Sequence, residues 1–445
     1  MCANHPIATP ETTRHELTEA VTNFAHMDDG QRKEFWAALA LKHTDGLGVR
    51  GAANLLKTFD SAYAAIKNPR QWKTCGVHEP AIEAFLSESW REPAGSEWTL
   101  AKNSGSGILL WTNPYYPKSL KEIPNPPLFL YFQGNVELLQ NPSIGVVGAR
   151  RASPDALAAS SRVALELAKA GVTVISGLAR GVDSEAHKAA LKGSGGTVAV
   201  LGCSLDIYYP PENKALQNEI ATAGLLLSEY APGTKPEAYH FPIRNRLISG
   251  LALGVLVVEA AGRSGSLITA RLALEYGRQV FAMPGKFAAS KAQGSHDLIR
   301  QGAKAVLDLD DMLDDLYPLL KPYAEFGKQA AVVREMVESA ENERRQASKR
   351  PESVSKKAPL PKPLKSVQDK NEIKRKNQTT YPTVAQHNAD LSANILRLLE
   401  NEGPLQADSI CALLKTSAAK VSSELLILEL AGSIKRYPGM IYALA

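Results

Sequence analysis

The stretch SIGVVGARRASPDALAASSRVALELAKAGVTVIS, residues 143–176, decides the fold. It reads as a buried strand, a turn containing Gly and Arg, a helix and a second buried strand. Ser153 is suited to cap the helix, Pro154 to occupy its first turn and Gly171 to close its C-terminal end. Two apolar, β-branched strands joined by a helix predict a parallel βαβ unit.

The same alternation continues downstream of this unit. The expected helices are 182–192, 211–223 and 266–277, and the expected strands are 196–202, 225–229, 255–260, 279–284 and 304–308. This order predicts an α/β fold, with a Rossmann-like, doubly wound and mostly parallel sheet covered by helices on both faces. We expect the domain to span 108–320, with its core at 143–307. Residues 108–132, rich in Pro and aromatic residues, are expected to form an ordered connector with short strands.

Two smaller domains flank this sheet. Residues 31–100 predict short helices, in which Gly46-Leu47-Gly48 joins two apolar-periodic stretches as in a SAM-like or helix-hairpin-helix domain. Glycines at such a turn let the backbone approach a phosphate, although plain helix packing gives the same pattern. Residues 386–445 predict a winged helix, with three helices and a hairpin turning at Pro438-Gly439.

The third helix of the expected winged helix carries few bases. It offers Glu424 and Glu429 with only Lys420, whereas a helix that reads a major groove presents Arg, Lys, Asn or Gln. The composition favours a protein contact or an auxiliary role over sequence-specific DNA reading.

Charge is unevenly distributed along the 445 residues. The net charge is +5, but residues 344–376 hold 12 Lys and Arg against 3 acidic residues, so the rest of the chain is net acidic at −4. Residues 321–385 are therefore expected to be a basic, disordered linker. The four cysteines form no CxxC pair, the N-terminus lacks a signal-peptide pattern, and the longest apolar run is too short for a bilayer. We expect a cytoplasmic protein that is not embedded in a membrane.

The predicted strand ends carry Gly, Ser, Thr and Arg. Because the carboxyl ends of parallel strands meet at one edge, these groups are expected to converge on an oligophosphate site. Phe241, beside two arginines, offers a surface for base stacking, with packing of a helix start as the alternative. We predict that the nucleic-acid-binding residues are Arg150, Arg151, Gly177, His240, Phe241, Arg244, Asn245, Arg246, Ser264, Gly265, Ser266, Thr269 and Lys286. Replacing Arg244 or Arg246 by Ala is expected to weaken binding with little effect on folding.

Catalytic motifs are not found in the sequence. There is no GxGxxG after the first strand, no GxxxxGK[ST], and no HxH or HExxH among the nine histidines. Asp183 is expected to be a helix cap or dipole partner, and His187 a structural residue. We expect no catalytic residues, no metal and no cofactor.

Several ordered strings resemble one family. VVGARR, SGLARGVD, FPIRNRLISGL, SGSLITARLALEYGR, MPGK and LIRQGAKAV are together similar to the DNA-processing protein A family, also called DprA or Smf. The resemblance covers 143–307 most strongly. It implies a homodimer, formed through the central domain, that has no enzymatic turnover. It further implies that the protein protects incoming single-stranded DNA in natural transformation and helps to load the RecA recombinase.

Two alternatives use the same fold. The first is a sensor that binds a small nucleotide at the same phosphate site. The second is a phosphoribohydrolase-like enzyme, whose PGGxGTxxE motif would align Gly265-Ser266 with its GT. The motif's glutamate then falls on Thr269, which is not a carboxylate, and this mismatch argues against the enzyme.

Overall fold

A computed structural model of the chain describes residues 24–286, 290–325, 385–414, 416, 421, 424–425, 428, 433–437 and 441–444. The chain divides into two compact units, 1–354 and 355–445. Among the helices of the described part, none combines the length and apolar character that a bilayer-spanning segment needs.

Unit 1 begins with a group of helices. Their bounds are α1 Asp29–Lys42, α2 Gly48–Phe59, α3 Ala62–Lys67, α4 Glu79–Leu86 and α5 Arg91–Ser104. Gly46 and Gly48, in the turn between α1 and α2, both adopt positive φ, which explains why glycine occupies these positions.

The rest of unit 1 alternates strands and helices. The strands are β1 Gly107–Leu110, β2 Phe129–Gly134, β3 Ser143–Val147, β4 Thr173–Ser176, β5 Thr197–Val200, β6 Leu225–Ser228, β7 Gly254–Val257, β8 Gln279–Ala282 and β9 Lys304–Ala305. The helices are α6 Lys118–Glu122, α7 Pro154–Lys169, α8 Val182–Ala190, α9 Lys214–Ala223, α10 His240–Leu251, α11 Gly265–Glu275, α12 Gln293–Arg300 and α13 Asp310–Glu325. Short 3-10 helices lie at Phe24–His26, Pro69–Cys75, Val136–Gln140, Pro211–Asn213 and Ser290–Ala292.

All nine strands form one sheet in the order β1-β2-β6-β5-β4-β3-β7-β8-β9. β3 to β9 run parallel, and β2 pairs antiparallel with both β6 and β1. The predicted doubly wound, mostly parallel α/β fold is confirmed. The short strands expected within 108–132 exist, but they extend this sheet as its antiparallel edge rather than forming a separate connector.

Helices cover both faces of the sheet. Along β3, Ile144 and Val146 belong to the apolar cluster under α7, α8 and α13, whereas Val147 belongs to the cluster under α10 and α11. Successive strand residues point to opposite faces, so a strand buried on both sides is apolar throughout. Ser153 caps α7 by accepting from the backbone N–H of Ala156 at 3.2 Å, and Gly171 adopts positive φ after the helix, as predicted.

Two expectations about segment identity need correction. Residues 240–251 form the helix α10, which the sequence analysis did not identify as helical. Helix α13 extends to Glu325 and thus includes the first five residues of the expected linker, 321–325. Residues 326–384, the remainder of that linker apart from 385, lie outside the described residues.

Unit 2 contains α14 Ala385–Glu402, β10 Leu405–Gln406, α15 Ala407–Leu414, β11 Ile434–Tyr437 and β12 Ile441–Leu444. The predicted hairpin of β11 and β12 is present, and β10 adds a third strand to it. Glu424 is buried and its carboxylate accepts a hydrogen bond from Ser392, so it is part of the packing rather than a DNA-facing group. Lys420, Glu429 and the Pro438-Gly439 turn lie outside the described residues.

Glu97 joins the helical region of unit 1 to the sheet. Its carboxylate accepts from Lys42 Nζ at 2.6 Å and from the Tyr131 hydroxyl at 2.8 Å, and it lies 2.7 Å from His43 Nε2. Burial alone would raise the pKa of this carboxyl, but His43, Lys42 and Tyr131 outweigh it and hold the pKa at about 2. The carboxylate therefore stabilises the contact between α1, α5 and β2.

We expect Glu97→Gln to destabilise the protein at neutral pH by about 3 kcal/mol, because each unit of pKa change is worth about 1.4 kcal/mol. The pKa of Glu97 is lower in the folded protein than in the unfolded chain. This stabilisation is therefore complete above about pH 4.5 and is lost as the pH falls towards about 2. Urea unfolding at pH 7 and pH 3 measures the difference, with Glu92→Gln on the exposed side of α5 as the control. A difference between Glu97→Gln and the parent chain that does not shrink at low pH contradicts this account.

Candidate nucleic-acid interface

The candidate site lies at the topological switch point of the sheet, where its winding direction reverses. The chain runs from β3 outward to β6 and then returns to β7 on the other side of β3. In such sheets the loops that follow the two strands diverge and leave a crevice at the carboxyl edge. A cavity of about 270 Å³ occupies this crevice and is lined by Gly148 and Arg150 after β3 and by Ser264, Gly265 and Ser266 at the start of α11.

The first turn of α11 forms one wall of this cavity. Ser264 caps the helix by accepting from Ser266 N at 3.3 Å, and the two hydroxyls lie 2.7 Å apart. Asn245 supports the turn by donating to the carbonyl oxygen of Gly265 at 3.4 Å. A helix N-terminus carries partial positive charge and unpaired N–H groups, so this wall attracts an anion.

An aromatic ring and an arginine form the opposite wall. The Arg150 guanidinium carbon lies 5.7 Å from the centroid of the Phe241 ring, and the Tyr209 ring lies 5.3 Å from Phe241. Gly202 permits this arrangement, because a Cβ there would come within 2.7 Å of the Phe241 ring. Phe241 is half-buried rather than part of the core, so part of its side chain remains exposed, while the Arg244 guanidinium carbon lies 6.0 Å from the ring centroid. An aromatic ring beside an exposed cation is a platform for stacking a base.

A smaller cavity of about 80 Å³ extends the first toward Tyr209, and we call the two together the switch-point groove. It shares Arg150, Phe241 and Arg244 with the first cavity and reaches Gly177 and Gly202 at the ends of β4 and β5. The groove thus runs along the carboxyl edge of the sheet across three of its central strands.

Arg244 has a structural position beneath this groove. Its side chain is 5% exposed, and Nη1 donates to the carbonyl oxygen of Gly177 at 2.8 Å and to that of Val200. Burial lowers its pKa and the nearby Asp183 carboxylate opposes this effect, but a guanidinium remains charged at neutral pH. The burial of Arg244 and its hydrogen bonds argue against the expectation that it can be replaced with little effect on folding.

Asp183 and His187 serve the same loop. Asp183 accepts from the N–H groups of Gly177 and Ala179 at 3.1 and 3.3 Å, so it holds the loop after β4 rather than capping its own helix. Burial raises the pKa of Asp183, with Arg244 and these N–H groups opposing the rise.

The structural role expected for His187 is confirmed. Burial and the charge of Arg244 lower its pKa to about 3, so the imidazole is neutral. Its Nε2 accepts from Leu178 N at 3.3 Å, and Nδ1 therefore donates to Thr197 Oγ1 at 2.7 Å.

Helix α10 separates residues that the sequence analysis placed together. Phe241, Arg244 and Asn245 line the cavity at the switch point, whereas His240 and Arg246 line a second cavity on the other side of the helix. Arg246 is buried and forms an ion pair with Glu229, so its removal also affects packing.

Three other predicted residues have different surroundings. Thr269 lines the cavity but is buried, and its carbonyl oxygen accepts from Ser249 Oγ at 2.8 Å. Arg151 is exposed and is not among the residues that line the cavity. Lys286 is exposed and lies 2.8 Å from the Asp155 carboxylate.

Two residues that line this groove, Tyr209 and Arg180, are absent from the predicted binding residues. Tyr209 belongs to the string DIYYP, in the loop that follows β5, where an aromatic residue in a strand-end loop was available as a signal. Arg180, in the string SGLARGVD, is exposed and forms an ion pair with Glu212. Arg263 is exposed and directly precedes the N-cap of α11, but it is not among the residues that line either cavity. Among the described residues, no group of three or more His, Cys, Asp or Glu side chains is arranged to hold a metal ion.

We expect Arg244→Ala to lower the free energy of unfolding by about 3 kcal/mol, since it leaves two strand-end carbonyls and the Asp183 carboxylate without their cation. Arg150→Ala, which removes an exposed arginine from the loop after β3, is the control and is expected to leave stability within about 0.5 kcal/mol of the parent chain. Urea unfolding monitored by circular dichroism measures both. Equal midpoints for Arg244→Ala and the parent chain would remove Arg244 from the structural role assigned above.

Comparison with known proteins shows which family models the chain matches. Residues 107–317 match the family model described as DNA recombination-mediator protein A, and residues 379–440 match the model described as the DprA winged helix domain. The predicted winged-helix domain class is thereby confirmed.

The curated relatives that the chain matches are named DprA or Smf. The chain is 46% identical over 198 residues to the DNA processing protein DprA of Streptococcus pneumoniae, which covers 44% of this chain and 70% of that protein. It is 34% identical over 334 residues to the protein Smf of Synechocystis, covering 74% of this chain and 78% of that protein. The crystal structure of the S. pneumoniae protein aligns with a TM-score of 0.56 and 36% identity, covering 63% of this chain and 97% of that one.

Proposed function

Since this chain belongs to the DNA recombination-mediator protein A family, known also as DprA or Smf, we propose that it binds single-stranded DNA and acts as a recombination mediator. The observation that carries the proposal is one groove containing the N-terminus of α11, the exposed Arg150 and the half-buried ring of Phe241. These groups offer, within one site, contacts for both the phosphate and the base of a nucleotide.

The phosphate contact rests on two kinds of positive charge. The first turn of α11 contributes backbone N–H groups and the partial positive charge of the helix N-terminus. It contains no acidic residue that would oppose this charge. Arg150 contributes a full charge and a planar fork of donors that matches phosphate oxygens.

The base contact favours a single strand over a duplex. Phe241 lies in a recessed groove with Arg150 and Tyr209 close to its ring, so a base must leave its stack to reach the ring. In a duplex the bases are already paired and stacked, whereas a single strand presents them at little cost. Stacking on an aromatic ring is tolerant of sequence, which suits a protein that accepts any incoming strand.

The resemblance to the family supports the wider role. We propose that the protein acts in the cytoplasm as a homodimer through its central domain, protects incoming single-stranded DNA during natural transformation and helps to load RecA. Light scattering of the purified chain tests the homodimer. Assembly of RecA filaments on single-stranded DNA, with and without the chain, tests the loading.

We further propose that the protein works by binding and without catalytic turnover. Asp183 lines the cavity, and its carboxylate accepts hydrogen bonds from N–H groups of the loop after β4. The Glu259 carboxylate accepts from Ser153 N and Oγ at 3.1 and 2.7 Å. Thr269 stands where the phosphoribohydrolase motif places its glutamate. Incubation with nucleoside monophosphates and chromatography for released base test this proposal, and release above background would contradict it.

We expect Phe241→Ala to weaken binding of oligo-dT by roughly 5- to 150-fold, because base stacking on an aromatic ring is worth about 1–3 kcal/mol. Arg150→Ala is expected to weaken binding and to reduce the slope of log affinity against log salt by about 0.7, the value for one phosphate contact on a single strand. Fluorescence anisotropy measures both, and Lys169→Ala, at the opposite end of α7 from the groove, is the matched control.

Competitors distinguish the proposed function from the alternatives. A matching duplex and mononucleotides are expected to compete weakly, and affinity is expected to rise with strand length. Unchanged affinity in both groove variants would reject this site. Strong mononucleotide binding without length dependence would instead favour the nucleotide sensor or the hydrolase.

We expect deletion of residues 386–445 to leave affinity for single-stranded oligo-dT within about threefold of the full chain. The groove lies wholly within unit 1, and each of its walls is formed by residues before 290. Anisotropy of the truncated chain with the same oligonucleotides measures the effect. A loss of affinity comparable to that of Phe241→Ala would place an essential contact in the winged helix.

A further inference from the structure

A second cavity lies on the other side of helix α10. It has a volume of about 1000 Å³ and lies between the start of α2 in the helical region and the first two turns of α10. A volume of this size is at the upper end of the range for ligand sites in proteins. Nothing in the groove described above accounts for it.

The start of α2 gives this cavity an anion-binding end. Gly48, Val49 and Arg50 line it, and α2 is a 12-residue helix whose N-terminus has no side-chain cap among the described residues. Its first N–H groups are thus available to a ligand. This is the Gly46-Leu47-Gly48 turn, which the sequence analysis associated with a phosphate contact.

Two buried side chains in the cavity wall carry polar atoms without partners. The Nδ1 atom of His240 and the Nη1 atom of Arg246 have no hydrogen-bond partner among the described residues, and these side chains are 5% and 8% exposed. A buried polar atom without a hydrogen-bond partner is unfavourable. Both residues line the cavity, so its wall contains polar groups whose hydrogen bonding is incomplete.

The charges that face the cavity also favour an anion. Lys42 is paired with Glu97, and Arg246 is paired with Glu229. Among the charged residues that line the cavity, Arg50 is then left as the cation in excess, and it lies in the first turn of α2.

Aromatic side chains line the same cavity. Tyr239 is 59% exposed, its ring packs edge-on against His240 at 4.4 Å, and Tyr276 lies at the end of α11. Val49 and Ile243 are also exposed at its rim. Apolar and aromatic surface beside a positive helix end is the combination that a nucleotide unit requires.

The two cavities are adjacent. Pro242, in the first turn of α10, lines both of them and forms the ridge between them. We propose that single-stranded DNA leaving the switch-point groove crosses Pro242 and continues into this second cavity, with a phosphate at the start of α2 and a base against Tyr239. This inference rests on the proposed function and extends the DNA site to the helical region of unit 1.

The test uses the full chain and oligo-dT of about 6 and about 16 nucleotides, which span the site sizes of single-strand-binding modules. Arg50→Ala and Tyr239→Ala are expected to leave the affinity for the short strand unchanged and to weaken the long strand by about fivefold or more. Arg150→Ala and Phe241→Ala are expected to weaken both lengths. Arg70→Ala removes an exposed arginine of the helical region that lines neither cavity, and it is expected to change neither length.

Each other outcome has a definite meaning. If Arg150→Ala and Phe241→Ala weaken neither length, the proposed function fails. If they weaken both lengths while Arg50→Ala and Tyr239→Ala change neither, only the second cavity is rejected. An equal effect of Arg50→Ala and Arg70→Ala shows unspecific attraction and overturns the inference. If thymidine monophosphate abolishes the effects of Arg50→Ala and Tyr239→Ala while the short strand stays bound, the cavity belongs to a free nucleotide and the strand path is wrong.

Discussion

The guanidinium of Arg244 donates to carbonyl oxygens at the ends of β4 and β5, beneath the floor of the switch-point groove. Gly177 makes this possible, because a Cβ there would lie within 2.5 Å of the guanidinium. Asp183 holds the same loop through two N–H groups and supplies the opposing charge. The loop after β4, the first turns of α10 and the walls of the groove are therefore fixed by one buried cation whose charge the interior must compensate.

Helix α10 positions the residues of both cavities. Residues two apart on a helix point in nearly opposite directions, so Arg244 and Arg246 face different cavities although the chain separates them by one residue. Arg244 lies against strand-end carbonyls, and Arg246 lies against Glu229. The exposed cations that line the groove are Arg150, on the loop after β3, and Arg180, which is paired with Glu212. Both buried arginines thus maintain the shape of the site, and the exposed Arg150 is the one for which we propose a phosphate contact.

The helical region and the sheet share one apolar core. Phe35 of α1 packs edge-on against Phe129 of β2 at 5.1 Å, and Glu97 joins α1, α5 and β2 through charged hydrogen bonds. Because β2 continues the sheet beyond β6, the helices are attached to the sheet's own edge rather than to a linker. The start of α2 consequently has a fixed place beside α10. A cavity that the helical region and α10 form together requires such a fixed position.

Local sequence determined the elements whose signals are local. The βαβ pattern of 143–176, the Ser153 cap, the glycine after α7 and the strand-end glycines and serines predicted the fold and the switch-point groove, since caps, turns and buried strands depend on residues close together in the chain. Tertiary structure alone decided the antiparallel pairing of β2 with β6 and the burial of Arg244 and Arg246. It also decided the separation of His240 and Arg246 from Phe241. Those outcomes depend on which carbonyl or carboxylate, distant in the sequence, contacts each side chain. They also depend on the direction in which each side chain leaves α10. The order of residues along the chain gives neither the contact partner nor the direction.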